Sequence, residues 1–213
     1  CDVDRSMNHD ALIHHLVFGY IAHPDTIYAG VQRLPPGSFI AFDPAGAETA
    51  ARYYDPLARR DATTSDYGEA RRELRRRIGR AVTRRLVADA PLGAFLSGGL
   101  DSSIVAYHAA AASAGRIDTF AVGYEAQSAC DERRFARLMA RHLDTEHHEV
   151  VITERQALET IPRVLEHVGE PFGDSSIVPA SLVSAFAAQS MKIALSGEGG
   201  DELFGGYGRY RRA

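Results

Sequence analysis

Pro91–Ser103 reads PLGAFLSGGLDSS, and the order of residue types in it decides the fold. A short apolar run ends at Ser97-Gly98-Gly99, and an alanine-rich stretch opens with Asp101, Ser102 and Ser103. The first reads as a buried strand and the second as a helix. Two glycines between them let the backbone turn tightly with no Cβ in the way. A helix begun there aims its unpaired N–H groups, and the positive end of its dipole, back over the turn. That arrangement suits a phosphate. Asp101 puts a carboxylate beside the same place, which makes sense if a metal ion lies between the two negative groups.

Met191–Tyr210, MKIALSGEGGDELFGGYGRY, repeats the same grammar. Ile193, Ala194 and Leu195 make an apolar run, Ser196-Gly197 follows, and a glycine-rich turn leads to Asp201 and Glu202. Two strands that each deliver a Ser-Gly turn and an acidic residue can converge at the carboxyl edge of a parallel sheet, where open α/β folds bind ligands. Asp101 and Asp201 would then flank one polyphosphate and hold Mg²⁺ against it, since Mg²⁺ commonly takes one or two carboxylates plus phosphate oxygens. Other phosphate loops fit poorly. A Walker-type loop needs a lysine after its second glycine, and Leu100 and Asp101 stand there. A dinucleotide fingerprint needs three spaced glycines.

Outward from this core the periodicity alternates. Strands are expected at 91–97, 117–123, 146–151 and 191–196, with helices at 101–114, 131–142, 153–168 and 177–190. Strands alternating with helices predict a parallel, three-layer α/β sheet. Upstream, 65–89 reads as a helix capped by Ser65 or Asp66 and driven by Leu74, Ile78, Ala81, Val82 and Leu86. Its arginines (Arg71, Arg72, Arg75, Arg76, Arg77, Arg80, Arg84, Arg85) fall mostly opposite that stripe, as a solvated face. His9–Tyr20 predicts a short helix, and 38–43 and 48–53 predict strands around Pro35-Pro36-Gly37 and Pro44-Ala45-Gly46. This β-rich part could not bury a core by itself. The expected division is 1–56, a linker at 57–65, and 66–213.

Composition agrees with a water-borne enzyme domain. The chain has 213 residues, 45% of them hydrophobic, and a formal charge of −4. That charge is too mild to point to nucleic acid or a membrane surface. No run approaches the ~18 apolar residues of a membrane helix, and no signal peptide opens the sequence. Cys1 and Cys130 give neither a disulfide framework nor a metal spacing, and the expected compartment is the cytosol.

Residue for residue, SGGLDSS resembles the pyrophosphate loop of ATP pyrophosphatases. With FAVGY (Phe120–Tyr124), HHEV (His147–Val150), EPFGDSS (Glu170–Ser176) and SGEGGDELFGGY, in that order and spacing, it resembles the synthetase domain of glutamine-dependent asparagine synthetases. The FGY…TIYAGVQRLPPG…RYYDP stretch (Phe18–Pro56) is similar to the segment joining that family's glutaminase domain to its synthetase domain. The resemblance implies a sheet of the ATP-pyrophosphatase (adenine nucleotide alpha hydrolase-like) type, preceded by a β-rich remnant of an N-terminal nucleophile hydrolase domain. It implies ATP and Mg²⁺ as cofactors. Nucleotide contacts are implied at Phe95, Leu96, Ser97, Gly98, Gly99, Asp101, Ser102, Val122, Ser196 and Gly197, metal ligands at Asp101 and Asp201, and catalytic roles for Asp101, Asp201 and Glu198.

The implied chemistry has two steps. A substrate carboxylate, expected to be aspartate, attacks the α-phosphate of ATP and releases pyrophosphate. Glutamine-derived ammonia then attacks the acyl-adenylate. The implied partners are these small molecules, with no nucleic acid or membrane, and a second copy of the full-length chain. A β-lactam- or macrolactam-forming relative, or a non-catalytic nucleotide-binding module, would share the same core.

Several residues keep two readings. The resemblance gives Val122 a backbone contact to adenine; by itself it reads as a plain core valine. Glu198 binds substrate or nucleotide, or orders the second turn. Asp174, Ser175 and Ser176 face an acceptor substrate or cap the next helix. Arg209, Arg211 and Arg212 approach phosphates or fray at the end of the chain. The resemblance implies a glutaminase nucleophile that is an N-terminal cysteine followed by glycine and a strand; Cys1 is followed by Asp2-Val3-Asp4, so it reads as an internal residue instead of a catalytic thiol. Cys130 reads as a structural thiol. The adjacent pairs His14-His15 and His147-His148 do not suit one metal, because neighbours on a strand point to opposite faces.

Overall fold

Four short apolar segments carry the architecture, and each is bounded by glycine or a polar turn. In the computed structural model, residues 3–55, 58, 66–125 and 131–211 are described, the side chains of Arg209 and Arg211 excepted. Cys1, Cys130, Ser65, Arg212 and, apart from Ala58, the expected linker lie outside the described residues. The chain divides into two compact units: Cys1–Ser65 with Pro162–Ser175, and Asp66–Ile161 with Ser176–Ala213.

The first unit holds helix α1 (His9–Phe18) and the antiparallel hairpin β1 (Ser38–Phe42) and β2 (Glu48–Arg52). Asn8 caps α1 by accepting the Ala11 N–H, and Gly19, in the left-handed region, ends it. A small core of Ala11, Ile21 and Ile27 forms behind the helix. The EPFG segment, far away in sequence, belongs to this unit. Glu170 pairs with Arg33, whose Nη1 donates to the Ile21 carbonyl at 2.6 Å. The Gly173 N–H donates to the Gly19 carbonyl at 2.9 Å.

The second unit begins with α2 (Tyr67–Arg85), N-capped by Asp66. It continues through β3 (Leu92–Phe95), α3 (Leu100–Ala112), β4 (Asp118–Tyr124), α4 (Arg133–Leu143) and β5 (Glu146–Ile152). Helix α5 (Glu154–Val168) carries Pro162, and the division between the units falls at that residue. Then come α6 (Ile177–Ala187), β6 (Ile193–Leu195) and the short α7 (Gly200–Phe204). The four strands form one parallel sheet in the order β5-β4-β3-β6.

Period-two alternation sorts the side chains of these strands. Ala94, Leu96 and Ala121 pack with Ala106, Ala109, Ala136 and Ala140 of α3 and α4. Phe120 faces the other way, onto Val183 and Ala187 of α6. The alanines let α3 and α4 sit close to the sheet, and both faces are covered, as a parallel sheet requires. The result is the three-layer α/β fold.

On α2 the eight arginines are all exposed, while Val82, Ile78 and Leu86 pack against the core. Leu74 and Ala81, expected on the same stripe, stand exposed instead. No helix among the described residues is long and apolar enough to cross a membrane.

Candidate active site

From β3 the chain builds β4 and then β5 outward on one side, and β6 returns to the other side of β3. The connections leaving β3 and β6 therefore part in opposite directions. A crevice opens at such a switch point, beyond the carboxyl ends of the strands. Both Ser-Gly turns lie there.

The first turn is braced by its own hydroxyls. Ser97 Oγ and Ser102 Oγ are 2.9 Å apart, the Ser97 N–H donates to Ser102 Oγ at 3.3 Å, and the Gly99 N–H donates to Ser97 Oγ at 3.1 Å. The N–H groups of Ser97 and Gly99 are thus turned into the loop. What remains is the first turn of α3, Leu100 to Ser102, where no carbonyl four residues back can accept. Gly98 has φ +83°, and a Cβ there would lie 2.5 Å from Ala136 N and from the Phe135 carbonyl carbon. Only glycine lets α4 come that near.

The second turn is seated against the first through glycines. A Cβ on Gly197 would lie 2.6 Å from Ser102 N, and one on Gly200 would lie 2.5 Å from the Asp101 carboxyl carbon. A Cβ on Gly206 would overlap Asp201 Oδ1. Asp101 and Asp201 consequently face one cavity of about 560 Å³, with Ser97, Gly99, Ser102, Glu132 and Phe204 also in its wall. A smaller cavity of about 140 Å³ adjoins it, walled by Phe95, Leu96, Phe120, Val122 and Val183, with Ser97 and Glu132 shared.

Neither the Asp101 nor the Asp201 carboxylate has a hydrogen-bond or ion-pair partner among the described residues. The neighbouring guanidinium, Arg133, is held by Asp131, with Nε 2.9 Å from Oδ1, which keeps the Asp131 carboxyl below its usual range. Among the described residues, then, no cation in the wall of the large cavity offsets the two carboxylates. A polyphosphate placed there would need a cation beside it, and a pair of carboxylates is a hard-oxygen set that fits Mg²⁺. Among the described residues no three acidic, histidine or cysteine groups come close enough to hold an ion. The described residues thus offer an ion no more than two such groups, and phosphate oxygens and water would have to supply the rest.

Most of the residues singled out from the sequence meet here. Phe95, Leu96, Ser97 and Val122 wall the small cavity, and Ser97, Gly99, Asp101, Ser102 and Asp201 the large one. Gly98 and Gly197 form the joints behind them. Ser196 Oγ accepts the Glu198 N–H at 3.4 Å. Glu198 is exposed and is not in the wall of either cavity. Ser176 takes the N-cap position of α6 without a capping bond from its side chain.

His147 and His148 do point to opposite faces. His147 Nδ1 is 3.0 Å from Thr119 Oγ1, and burial lowers its pKa. The His148 ring stacks on Phe120 at 5.0 Å and reaches Asp118 at 2.7 Å. Sequence reasoning missed Glu132 and Phe204. The one available signal was indirect: Gly98, the first glycine of the βα turn, marks a close neighbour, here α4, whose N-cap is Glu132.

The stretch containing both turns, residues 73–213, matches the family model described as asparagine synthase. The chain belongs to the asparagine synthase family. Over 211 residues it is 35% identical to a putative asparagine synthetase [glutamine-hydrolyzing] of Mycobacterium tuberculosis H37Rv, covering 98% of this chain and 32% of that protein. Over 213 residues it is 33% identical to asparagine synthetase [glutamine-hydrolyzing] 1 of Bacillus subtilis 168, with the same two coverages. The chain thus spans about a third of the length of these curated relatives. A solved glutamine-dependent NAD+ synthetase from Acinetobacter baumannii, in complex with ADP, aligns with a TM-score of 0.45 and 18% identity over 79% of this chain and 31% of that one.

Proposed function

We propose that this chain carries the carboxylate-activating site of a glutamine-dependent asparagine synthetase. In this reading residues 1–56 belong to a glutaminase domain and 66–213 to the synthetase domain. ATP lies with its base in the small cavity and its phosphates in the large one. The carboxylate of aspartate attacks the α-phosphorus, the bond to the bridging oxygen breaks, and pyrophosphate departs with the electron pair. Ammonia released from glutamine then displaces AMP from the acyl-adenylate to give the amide.

The single observation that carries the reading is the meeting of Asp101 and Asp201, a hundred positions apart in sequence, in the wall of one cavity. Asp101 and Asp201 would hold the Mg²⁺, which when bound neutralises charge on the phosphates. The residues of the chain do the rest. The first-turn N–H groups of α3 are already aimed over the crevice, so they stabilise the departing oxygens with no reorganisation. Gly197 and Gly200 fix the spacing between the two acidic groups. The apolar wall of Phe95, Val122 and Val183 orients a flat base and excludes water from it.

The test is AMP formation by the full chain with aspartate against a panel of other carboxylates. Aspartate-dependent release of AMP and pyrophosphate is expected. ATP binding with no pyrophosphate released for any carboxylate would overturn the catalytic reading and leave a nucleotide-binding module.

A further inference from the structure

We infer that Glu132 reads the ribose of the bound nucleotide, its carboxylate accepting the 2′- and 3′-hydroxyls. This rests on the adenine-nucleotide reading above and adds to it a specificity-determining residue. Two cavities of different chemistry adjoin in the second unit: one with an aromatic and aliphatic wall of Phe95, Phe120, Val122 and Val183, Arg133 also lining it, and one carrying the carboxylates of Asp101 and Asp201. A nucleotide laid across them has its base in the first and its phosphates in the second. Ser97 and Glu132 are the two residues that line both, so the ribose falls beside them.

Glu132 is free for this work. Its backbone takes the N-cap position of α4, but its side chain makes no capping bond. Its carboxylate has no ion-pair or hydrogen-bond partner among the described residues. The arginines that follow it are engaged elsewhere. Arg133 is bound to Asp131 and also donates to the Tyr124 carbonyl at 3.3 Å, while Arg134 lies 4.4 Å over the Phe135 ring. The close approach of α4 to Gly98 fixes the height of this helix end above the turn.

Two other tasks for an unpaired carboxylate at this place fit less well. A third metal ligand would need Asp101, Asp201 and Glu132 within reach of one ion, and among the described residues no such trio exists. Direct contact with a phosphate would set like charges side by side. A sugar diol is the remaining neighbour. It offers two O–H donors at a spacing that matches the two oxygens of a carboxylate, and the bonds are charge-assisted. An acidic residue holds the ribose in dinucleotide folds by the same chemistry.

The experiment compares binding of ATP, 2′-deoxy-ATP and 3′-deoxy-ATP to the full chain with Mg²⁺, for wild type, Glu132→Gln and Glu132→Ala. Wild type is expected to bind the deoxy analogues about 10- to 100-fold more weakly than ATP, the worth of a hydrogen bond to a charged group. Glu132→Ala should bind all three alike, at the analogue level, and Glu132→Gln should fall between. Thermal midpoints for the three proteins should agree, because the exposed Glu132 side chain bonds to none of the described residues. Equal binding of the three nucleotides by wild type overturns the inference and leaves the adenine-nucleotide reading standing. So does discrimination that persists in Glu132→Ala. Absence of any ATP binding by wild type overturns both.

Discussion

The two Ser-Gly turns share a sequence grammar and differ in what holds them. The turn after β3 is self-braced: two serine hydroxyls tie Ser97 to Ser102, and Gly98 is pinned beneath α4. The turn after β6 has one weak internal side-chain bond, from the Glu198 N–H to Ser196 Oγ at 3.4 Å. Its shape comes from Gly199 and Gly205, with φ of +87° and +68°, and from lying against the first turn at Gly197 and Gly200. One turn is a fixed wall and the other is fitted to it. The spacing of the two carboxylates is thus set where the turns touch, by glycines of the second turn whose missing side chains let it come close to the first.

Four substitutions break or sharpen that contrast. Gly98→Ala strikes the fixed wall hardest, adding a backbone clash at 2.5 Å to a left-handed φ. It should cost about 3 kcal/mol or more in chemical denaturation. Gly200→Ala presses on the Asp101 carboxyl group rather than on the fold. ATP–pyrophosphate exchange should fall about 100-fold, the effect of a misplacement near 1 Å, with the unfolding midpoint almost unchanged. Ser102→Ala removes a hydroxyl within 2.9 Å of Ser97 Oγ that also accepts the Ser97 N–H. Calorimetry should show a loss of about 1 kcal/mol. Ser196→Ala, the matching change in the fitted turn, should cost less than about 0.5 kcal/mol, the low end for a hydrogen bond. Equal costs for the two serine variants would show that the turns are supported alike.

The local elements were legible because local chemistry makes them. Apolar runs ended by Ser-Gly mark β3 and β6, and the arginine-studded α2 shows its solvated face through period alone. Strand order was not legible. That β6 pairs with β3, about a hundred residues earlier, depends on which face each helix covers, and no residue near Ile193 encodes it. The same holds for the Arg33–Glu170 pair, which ties the EPFG segment to residues from the start of the chain.

At the site, sequence placed Asp101 and Asp201 because each follows a turn with a recognisable geometry. Glu198 shares the second motif, which gives it two readings, binding substrate or nucleotide or ordering the turn, and it stands exposed, outside both cavity walls. Glu132 is the opposite case. Nothing about an Asp-Glu pair before a helix distinguishes it, and it reaches the cavities only because α4 rests on Gly98.

The most direct test of the shared-ion claim is a Mn²⁺ titration followed by EPR, with α,β-methylene-ATP present, for wild type, Asp101→Asn and Asp201→Asn. The nucleotide-dependent ion should bind to wild type, and each single variant should weaken it by more than the ~10- to 100-fold that outer-shell changes cost. Wild-type Mn²⁺ affinity in either variant would contradict the account.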